Sequence, residues 1–194
     1  MHDELNQYGG EYKIYSCDIS KSDQVIDTVN KIKSDFGQID ILINNAGIGY
    51  NKKFIEHSIK EIHDSFAINV LGLMYMSHEI IPMMKKASSI INIGSILSTE
   101  TWPDWTVYES SKYAVLGLTE GLRKEMLVNK TGIRVMGFYP GGMNTNIAYA
   151  NDIPYPDWSW AMNPDDVANS IIFMLQQNEG HCISHIEFRS EADK

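Results

Sequence analysis

The stretch that decides the fold is Ile39-Asp40-Ile41-Leu42-Ile43-Asn44-Asn45-Ala46-Gly47. Its first five residues form a short apolar run, which is typical of a strand buried inside a sheet. A long amphipathic helix follows, since Ser58-Ile59-Lys60-Glu61 has the spacing of a capping box and the apolar period continues to Pro82. A buried strand followed by a crossover helix predicts parallel pairing and therefore an α/β fold.

The same alternation of short apolar runs and longer amphipathic runs extends along the whole chain. The predicted strands are residues 12–17, 39–43, 89–93, 133–138 and 182–188, and the other predicted helices are residues 22–36, 106–128 and 164–176. The chain has no repeat and no low-complexity segment. Its 194 residues therefore predict a single domain, residues 1–194.

One long connection, residues 141–163, interrupts this pattern. It contains the aromatic residues Tyr149, Tyr155, Trp158 and Trp160. A connection of this length inside a compact domain is usually functional, which favours a lid. The alternative is a surface loop whose aromatic side chains pack on the body of the protein or on another subunit.

Composition excludes several classes of function. A formal net charge of −9 without any basic cluster argues against nucleic-acid binding. Cys17 and Cys182 are too few for a disulfide framework and indicate reduced thiols, which favours the cytoplasm. The first residues resemble no secretion signal, and no apolar run is long enough for a membrane span, so we expect neither export nor membrane insertion.

The most informative chemical pattern is Tyr108-Glu109-Ser110-Ser111-Lys112, with Ser95 thirteen residues before its tyrosine. Four residues on a helix place Tyr108 and Lys112 on one face, where the ammonium is expected to lower the phenol pKa. Carbonyl reduction needs a proton donor, a second hydrogen bond to the reacting oxygen, and a group that holds the nicotinamide. Tyr108, Ser95 and Lys112 match these three needs.

A tyrosine and a lysine at this spacing often mark only an exposed helix face, so the pair alone is weak evidence. The pattern becomes specific in combination with Asn44-Asn45-Ala46-Gly47 after a strand, Asn69 in the next helix, and Pro140-Gly141-Gly142-Met143-Asn144-Thr145 after a later strand. In this order the elements resemble the short-chain dehydrogenase/reductase family over nearly the whole chain. The resemblance implies a Rossmann-like, doubly wound parallel sheet.

The resemblance also implies residue roles in NAD(P)-dependent oxidation or reduction. Asn69 would support a water-mediated proton relay, Ser95 would orient the substrate, Tyr108 would be the acid/base, and Lys112 would bind the nicotinamide ribose. Cofactor contacts are implied on the adenosine side for Asp18, Ile19, Asn45, Ala46 and Gly47, and on the nicotinamide side for Tyr108, Lys112, Pro140, Gly141, Met143 and Thr145. Without the resemblance, residues 44–47 would be interpreted as a tight turn after a strand.

Two departures from the family pattern stand out. Gly94 occupies the position of a second serine in many relatives, while Ser95 keeps its spacing to Tyr108. The larger departure is that the family's first strand, glycine-rich turn, helix and second strand are not in this sequence, and residues 1–8 resemble the tail of the following helix. The resemblance therefore implies an N-terminally truncated domain with an open sheet edge, and the choice between NAD and NADP cannot be predicted.

Other features lead to further expectations. His181, Cys182 and His185 suggest a metal, but two histidines four residues apart on a strand lie roughly 13 Å apart, so no metal site is predicted. Trp102 and Trp105 indicate either an aromatic substrate pocket or a packing contact.

The apolar helices that contain Asn69 and Tyr108 predict, by resemblance, a homodimer or homotetramer. The expected function is an NAD(P)-dependent oxidoreductase acting on a small carbonyl or alcohol. The alternative is an inactive remnant that binds or regulates a partner subunit.

Overall fold

A computed structural model of the chain describes residues 9–145, 147 and 159–191. Four parallel strands form one sheet in the order β1-β2-β3-β4, with β1 Ile41–Asn44, β2 Ser89–Ile93, β3 Arg134–Pro140 and β4 His185–Phe188. In the register, Ile91 of β2 lies beside Ile43 of β1 and Met136 of β3. Parallel order along the sheet requires a crossover connection between successive strands, as the alternating sequence pattern predicts.

Five α-helices cover the two faces of this sheet within the described residues. They are α1 Ser22–Phe36, α2 Ile59–Phe66, α3 Leu73–Ile80, α4 Thr106–Val128 and α5 Pro164–Leu175. One core joins α1, α3 and α4 to the sheet through Val25, Val29, Leu42, Ile80, Ile90, Met126 and Val135. The opposite core packs α5 on the sheet through Ile91, Met136, Phe138, Val167 and Met174. Helices on both faces of a parallel sheet make the fold Rossmann-like and doubly wound, as predicted.

The ends of the helices follow local sequence signals. Helix α1 ends at Gly37, which has φ +73°, a conformation that suits glycine. Ser58 caps α2 in a full capping box with Glu61, and the Asn163 side chain caps α5. The predicted bounds of α1 and α4 match the structure, and α5 ends one residue earlier than predicted.

The predicted long helix from Ser58 to Pro82 is not regular. A π-helical segment, Ala67–Gly72, separates α2 from α3, and a short 3-10 segment, Ile81–Met83, ends the run. A π-helical turn adds a residue to the helix and rotates the side chains that follow, and such turns are frequent at functional sites. The apolar period alone does not reveal it.

The prediction of a strand over residues 12–17 is wrong. A strand exists through hydrogen bonds to a neighbouring strand, and the sheet formed by the described residues starts at β1. Residues 12–17 instead contact α1 through side chains: Cys17 packs on the α1 core, and Lys13 and Tyr15 bond to Asp35. The strand prediction for residues 182–188 is too long at its start, since β4 begins at His185.

Strand β1 is the edge of the sheet rather than a buried strand. No strand of the described residues lies on its outer side, and Ile41 and Ile43 are 50% and 44% exposed. Within the described sheet, the outer side of β1 is therefore unpaired. An unpaired edge offers free backbone groups to a further strand.

Some predictions concern residues outside the described ranges. Residues 1–8 and the lid candidates Tyr149, Tyr155 and Trp158 lie outside the described ranges, whereas Trp160 lies against Gly142. None of the helices in these ranges combines the length and apolar character that a membrane span requires. Among the same residues no group of three or more His, Cys, Asp or Glu side chains is placed to hold a metal ion.

Candidate active site

Tyr108 and Lys112 lie one turn apart at the start of α4. The Lys112 Nζ lies 5.6 Å from the centroid of the Tyr108 ring. Lys112 is 6% exposed, and its ammonium donates a hydrogen bond to the Ile93 carbonyl at 3.0 Å. Because Ile93 is the last residue of β2, this bond ties the helix to the carboxyl end of the sheet, where doubly wound folds bind ligands.

Ser95 enters the site from the end of β2. It is 7% exposed and caps the 3-10 segment Ile96–Ser98, with its Oγ accepting a hydrogen bond from the Leu97 N–H at 3.2 Å. The same hydroxyl lies close enough to the Tyr108 phenol to favour its ionised form, which acts to lower the Tyr108 pKa. The structure thus brings Ser95, Tyr108 and Lys112 together, although they lie on two different elements.

The electrostatics of the pair differ from the sequence-based expectation. Loss of water around the Tyr108 hydroxyl raises its pKa to about 12, against which only the hydrogen bond with Ser95 acts. Burial lowers the pKa of Lys112 to about 8. We expected the Lys112 ammonium to lower the Tyr108 pKa, and this is wrong for the structure, because desolvation disfavours the charged form of both groups.

Asn69 lies in the π-helical segment, and both the oxygen and the nitrogen of its side-chain amide form hydrogen bonds. The Oδ1 accepts from the Ile48 N–H at 2.8 Å, while the Nδ2 donates to the Ile48 carbonyl and to the Ser111 Oγ, both at 2.9 Å. Asn69 is 2% exposed. Its side chain therefore locks the loop after β1 onto α4, one residue before Lys112.

Two glycines let the loop after β1 approach these side chains. A Cβ on Gly47 would lie 3.3 Å from the Asn69 Oδ1 and 3.7 Å from the Lys112 Nζ. A Cβ on Gly49 would lie 3.2 Å from the Tyr108 ring and 3.6 Å from Trp105. The neighbouring Asn45 and Ala46 are exposed. The loop thus places backbone directly beside the candidate catalytic groups.

The residues expected on the adenosine side share a region with this loop. Ile19, Asn45 and Ala46 line a small cavity of about 120 Å³ beside β1. Ile19 also packs closely on Gly72 of the π-helical segment. The exposed Asp18 accepts hydrogen bonds from the N–H and Oγ of Ser20, which lower the pKa of the carboxylate. A carboxylate held ionised in this way is a suitable acceptor for an amino group.

The residues expected on the nicotinamide side follow β3. Pro140 ends the strand and is buried, and the Gly141 N–H donates to the Phe188 carbonyl of β4 at 2.8 Å. Met143 forms a single parallel bridge with Met162, and the Thr145 N–H donates to the Met143 carbonyl at 2.9 Å. These residues lie at the same carboxyl edge of the sheet as Ser95.

Sequence reasoning missed two residues of the site. Ser111 is fully buried, accepts from Asn69 and donates to the Tyr108 carbonyl at 2.6 Å, so it links both. Its position three residues after Tyr108, on one helix face, was the available signal. Gly49 was also missed, because only the folded loop brings it to the Tyr108 ring. Trp105, considered in the sequence as a pocket residue, packs on Tyr108 with ring centroids 5.4 Å apart.

Comparisons with known proteins find a matching family model and similar oxidoreductases. The family model for short chain dehydrogenase matches residues 1–153. An uncharacterized oxidoreductase of Staphylococcus saprophyticus is 35% identical over 166 residues, covering 82% of this chain and 67% of that protein. Another from Staphylococcus aureus strain MRSA252 is 30% identical over 179 residues, covering 91% of this chain and 75% of that protein.

Solved structures show the same fold. An alcohol dehydrogenase from the archaeon Thermococcus sibiricus, complexed with 5-hydroxy-NADP, has a TM-score of 0.89 and 23% identity, covering all of this chain and 80% of that one. A metagenomic short-chain oxidoreductase in complex with NADP has a TM-score of 0.78 and 23% identity, covering 97% of this chain and 79% of that one. At such low identity the likeness concerns the fold.

Proposed function

The chain belongs to the short-chain dehydrogenase family, and we propose that it is an NAD(P)-dependent oxidoreductase that interconverts a carbonyl and an alcohol. The observation that carries the proposal is the convergence of Ser95 and Lys112 on Tyr108 beside the Gly47 backbone. Helix α4 supplies a proton donor and a buried amine, and the segment after β2 supplies an oxygen-orienting hydroxyl, all at one edge of the sheet. A helix face alone would produce only the tyrosine and the lysine.

The described residues fit a nicotinamide cofactor. Because Gly47 lacks a Cβ, the loop backbone lies close to the Lys112 amine, so a ligand bound at the amine would also meet the loop backbone. The ammonium has three donors, of which the Ile93 carbonyl takes one, leaving two for ribose hydroxyls. On the adenosine side, the cofactor would meet the exposed Asn45 and Ala46 and the ionised Asp18. Both NAD and NADP remain candidates.

The proposed reaction divides the chemistry between the cofactor and the protein. When bound, the cofactor supplies the hydride that adds to the carbonyl carbon or accepts it from the alcohol. In reduction the carbonyl π bond breaks, and the Tyr108 O–H bond breaks as its proton moves to the substrate oxygen. The Ser95 hydroxyl donates a hydrogen bond to the same oxygen and fixes its position beside Tyr108. Asn69 and Ser111 hold α4 and the loop after β1 in register.

Burial sets the protonation states of Tyr108 and Lys112 at neutral pH. With its pKa raised to about 12, Tyr108 carries its proton at neutral pH and is ready to donate it. Oxidation would need the ionised phenol, which burial disfavours. Lys112, whose pKa is about 8, is mostly charged at pH 7 and loses its charge over the following two pH units. At neutral pH the site therefore holds the protonated phenol, the form that donates a proton to a carbonyl oxygen.

A cofactor titration followed by an activity assay tests the proposal. NADPH and NADH are titrated separately against the protein by fluorescence, and a panel of aldehydes and ketones is then screened for loss of absorbance of the reduced cofactor. Tyr108→Phe should reduce kcat by at least 100-fold while cofactor binding remains. Tyr113→Phe is the matched control, because Tyr113 is an exposed tyrosine on the same helix. Full activity of Tyr108→Phe would refute the acid/base role.

Assembly is a further part of the proposal. The helices that carry Asn69 and Tyr108 expose the apolar residues Leu71, Met74 and Tyr113, each about 40% accessible. Burying such surface against a second copy would remove it from water. We propose a homodimer or homotetramer, to be measured by light scattering over a range of concentrations. A monomer at every concentration would contradict it.

A second candidate function rests on the open edge of β1. Because Ile41 and Ile43 are exposed and no described strand lies outside them, the edge offers backbone groups to a strand of a partner subunit. On this alternative the chain is an inactive partner or regulator of an intact relative. Saturable NADPH or NADH binding together with carbonyl-dependent oxidation of the cofactor would defeat it.

A further inference from the structure

Gly94, the residue between β2 and Ser95, has no room for a side chain. Its N–H donates to the Phe138 carbonyl at 2.8 Å, which fixes the backbone against β3. A Cβ at this position would lie 2.3 Å from Cδ1 and 2.5 Å from Cε1 of Tyr139, and 3.0 Å from the Ser98 Oγ. The Tyr139 ring therefore occupies the space that a side chain at position 94 would need.

The same ring covers a second glycine. A Cβ on Gly137, two residues earlier on the same face of β3, would lie 2.2 Å from the Tyr139 hydroxyl and 2.5 Å from Cε2 and Cζ. The His185 ring from β4 stacks on the Tyr139 ring with centroids 4.3 Å apart and planes 25° apart. Tyr139 is completely buried. Its ring thus lies along the sheet surface, wedged against glycines of two neighbouring segments.

We propose that Tyr139 is a positioning residue for the Ser95 hydroxyl, acting through its contact with Gly94. The inference rests on the proposed function, because it concerns the hydroxyl that orients the substrate there. Ser95 is peptide-bonded to Gly94, and its own N–H is held by the Ser98 Oγ at 3.2 Å. The Tyr139 ring and the Ser98 Oγ both border the side-chain position of Gly94, so the ring sets where the Ser95 backbone lies relative to Tyr108.

The hydroxyl end of the ring lies beside α4, the helix that carries Tyr108. The Tyr139 hydroxyl interacts with Thr119 of α4, although it forms no hydrogen bond of good geometry with the described residues. Thr119 is itself held by Asn92 of β2 at 3.0 Å and donates to the Val115 carbonyl at 2.7 Å. The end of β2 and α4 are thus joined directly through Asn92 and Thr119, and the hydroxyl end of the Tyr139 ring lies beside this contact.

A double-mutant cycle with Gly94→Ala and Tyr139→Leu tests this role. Gly94→Ala should lower the melting temperature by about 3 to 10 °C through overpacking. It should also lower kcat about tenfold or more, with the cofactor dissociation constant unchanged within about twofold. In the Tyr139→Leu background the added methyl should cost little stability, and kcat of the double variant should exceed that of Gly94→Ala.

Gly117→Ala on α4 is the matched control, because nothing lies within 4 Å of its Cβ position and the methyl should leave kcat unchanged. The positioning role would be overturned if Gly94→Ala left kcat unchanged, as this control should. It would also be overturned if the effects of Gly94→Ala and Tyr139→Leu were additive in both the melting temperature and kcat. Ser95→Ala distinguishes a failure of the proposed role of Ser95 from a failure of the proposed role of Tyr139. A wild-type kcat in Ser95→Ala would reject the proposed role of Ser95. The proposal that Tyr139 positions Ser95 would then fail too, even if the melting temperatures of Gly94→Ala and Tyr139→Leu were not additive.

Discussion

Replacing Lys112 by methionine should stabilise the protein at neutral pH and remove a specific part of its pH dependence. The Lys112 ammonium is buried with a neutral carbonyl as its hydrogen-bond partner, and burial lowers its pKa from 10.5 to about 8. A group that binds its proton more weakly in the folded state destabilises that state wherever it is charged. The penalty is complete below pH 8 and is lost as the pH rises from 8 to 10.5, so stability increases with pH.

The magnitude follows from these two pKa values. At about 1.4 kcal/mol per pH unit, the full penalty amounts to about 3 kcal/mol, of which about 2 kcal/mol disappear between pH 7 and pH 9.5. Methionine keeps the apolar stem and removes the charge, but it also loses the hydrogen bond to Ile93, at a cost of about 1 kcal/mol. We therefore expect Lys112→Met to be about 2 kcal/mol more stable than the wild type at pH 7.

Urea denaturation followed by tryptophan fluorescence at pH 7, 8 and 9.5 measures this effect. The stability difference between Lys112→Met and the wild type should shrink by about 2 kcal/mol over this range, because all other titrating groups cancel in the difference. Lys124→Met is the control, because it removes an exposed ammonium from the same helix. Its free energy of unfolding should change with pH as that of the wild type does. A difference for Lys112→Met that stays constant with pH would refute the burial argument.

Three further substitutions have defined outcomes. His57→Leu should raise the free energy of unfolding in urea by about 1 to 2 kcal/mol, because both ring nitrogens are buried without a hydrogen-bond partner among the described residues; a decrease would contradict this. Ser58→Ala should lower it by about 1 kcal/mol through loss of the capping box, and an unchanged midpoint would argue against that cap. Gly47→Ala should weaken NADPH binding about tenfold in a fluorescence titration. An affinity equal to that of the wild type would show that Gly47 does not contribute to cofactor binding.

Features that depend on near neighbours in the chain could be predicted from the sequence. The bounds of α1 and α4, the caps at Ser58 and Asn163, and the glycine that ends α1 all follow from contacts within about one helical turn. Tyr108 and Lys112 share a face for the same reason. The alternation of short apolar and longer amphipathic runs predicted the α/β class, and the ordered set of motifs indicated the candidate site.

Features that depend on distant neighbours were decided by the tertiary structure. Residues 12–17 have the composition of a strand but lack a paired strand in the described sheet, and β1 is exposed because it lies at the edge. The pKa of Tyr108 is set by the water that the fold removes around it, which no residue spacing encodes. Gly94 appears in the sequence only as a missing serine, and it is the ring of Tyr139, brought from the next strand, that explains why a glycine stands there.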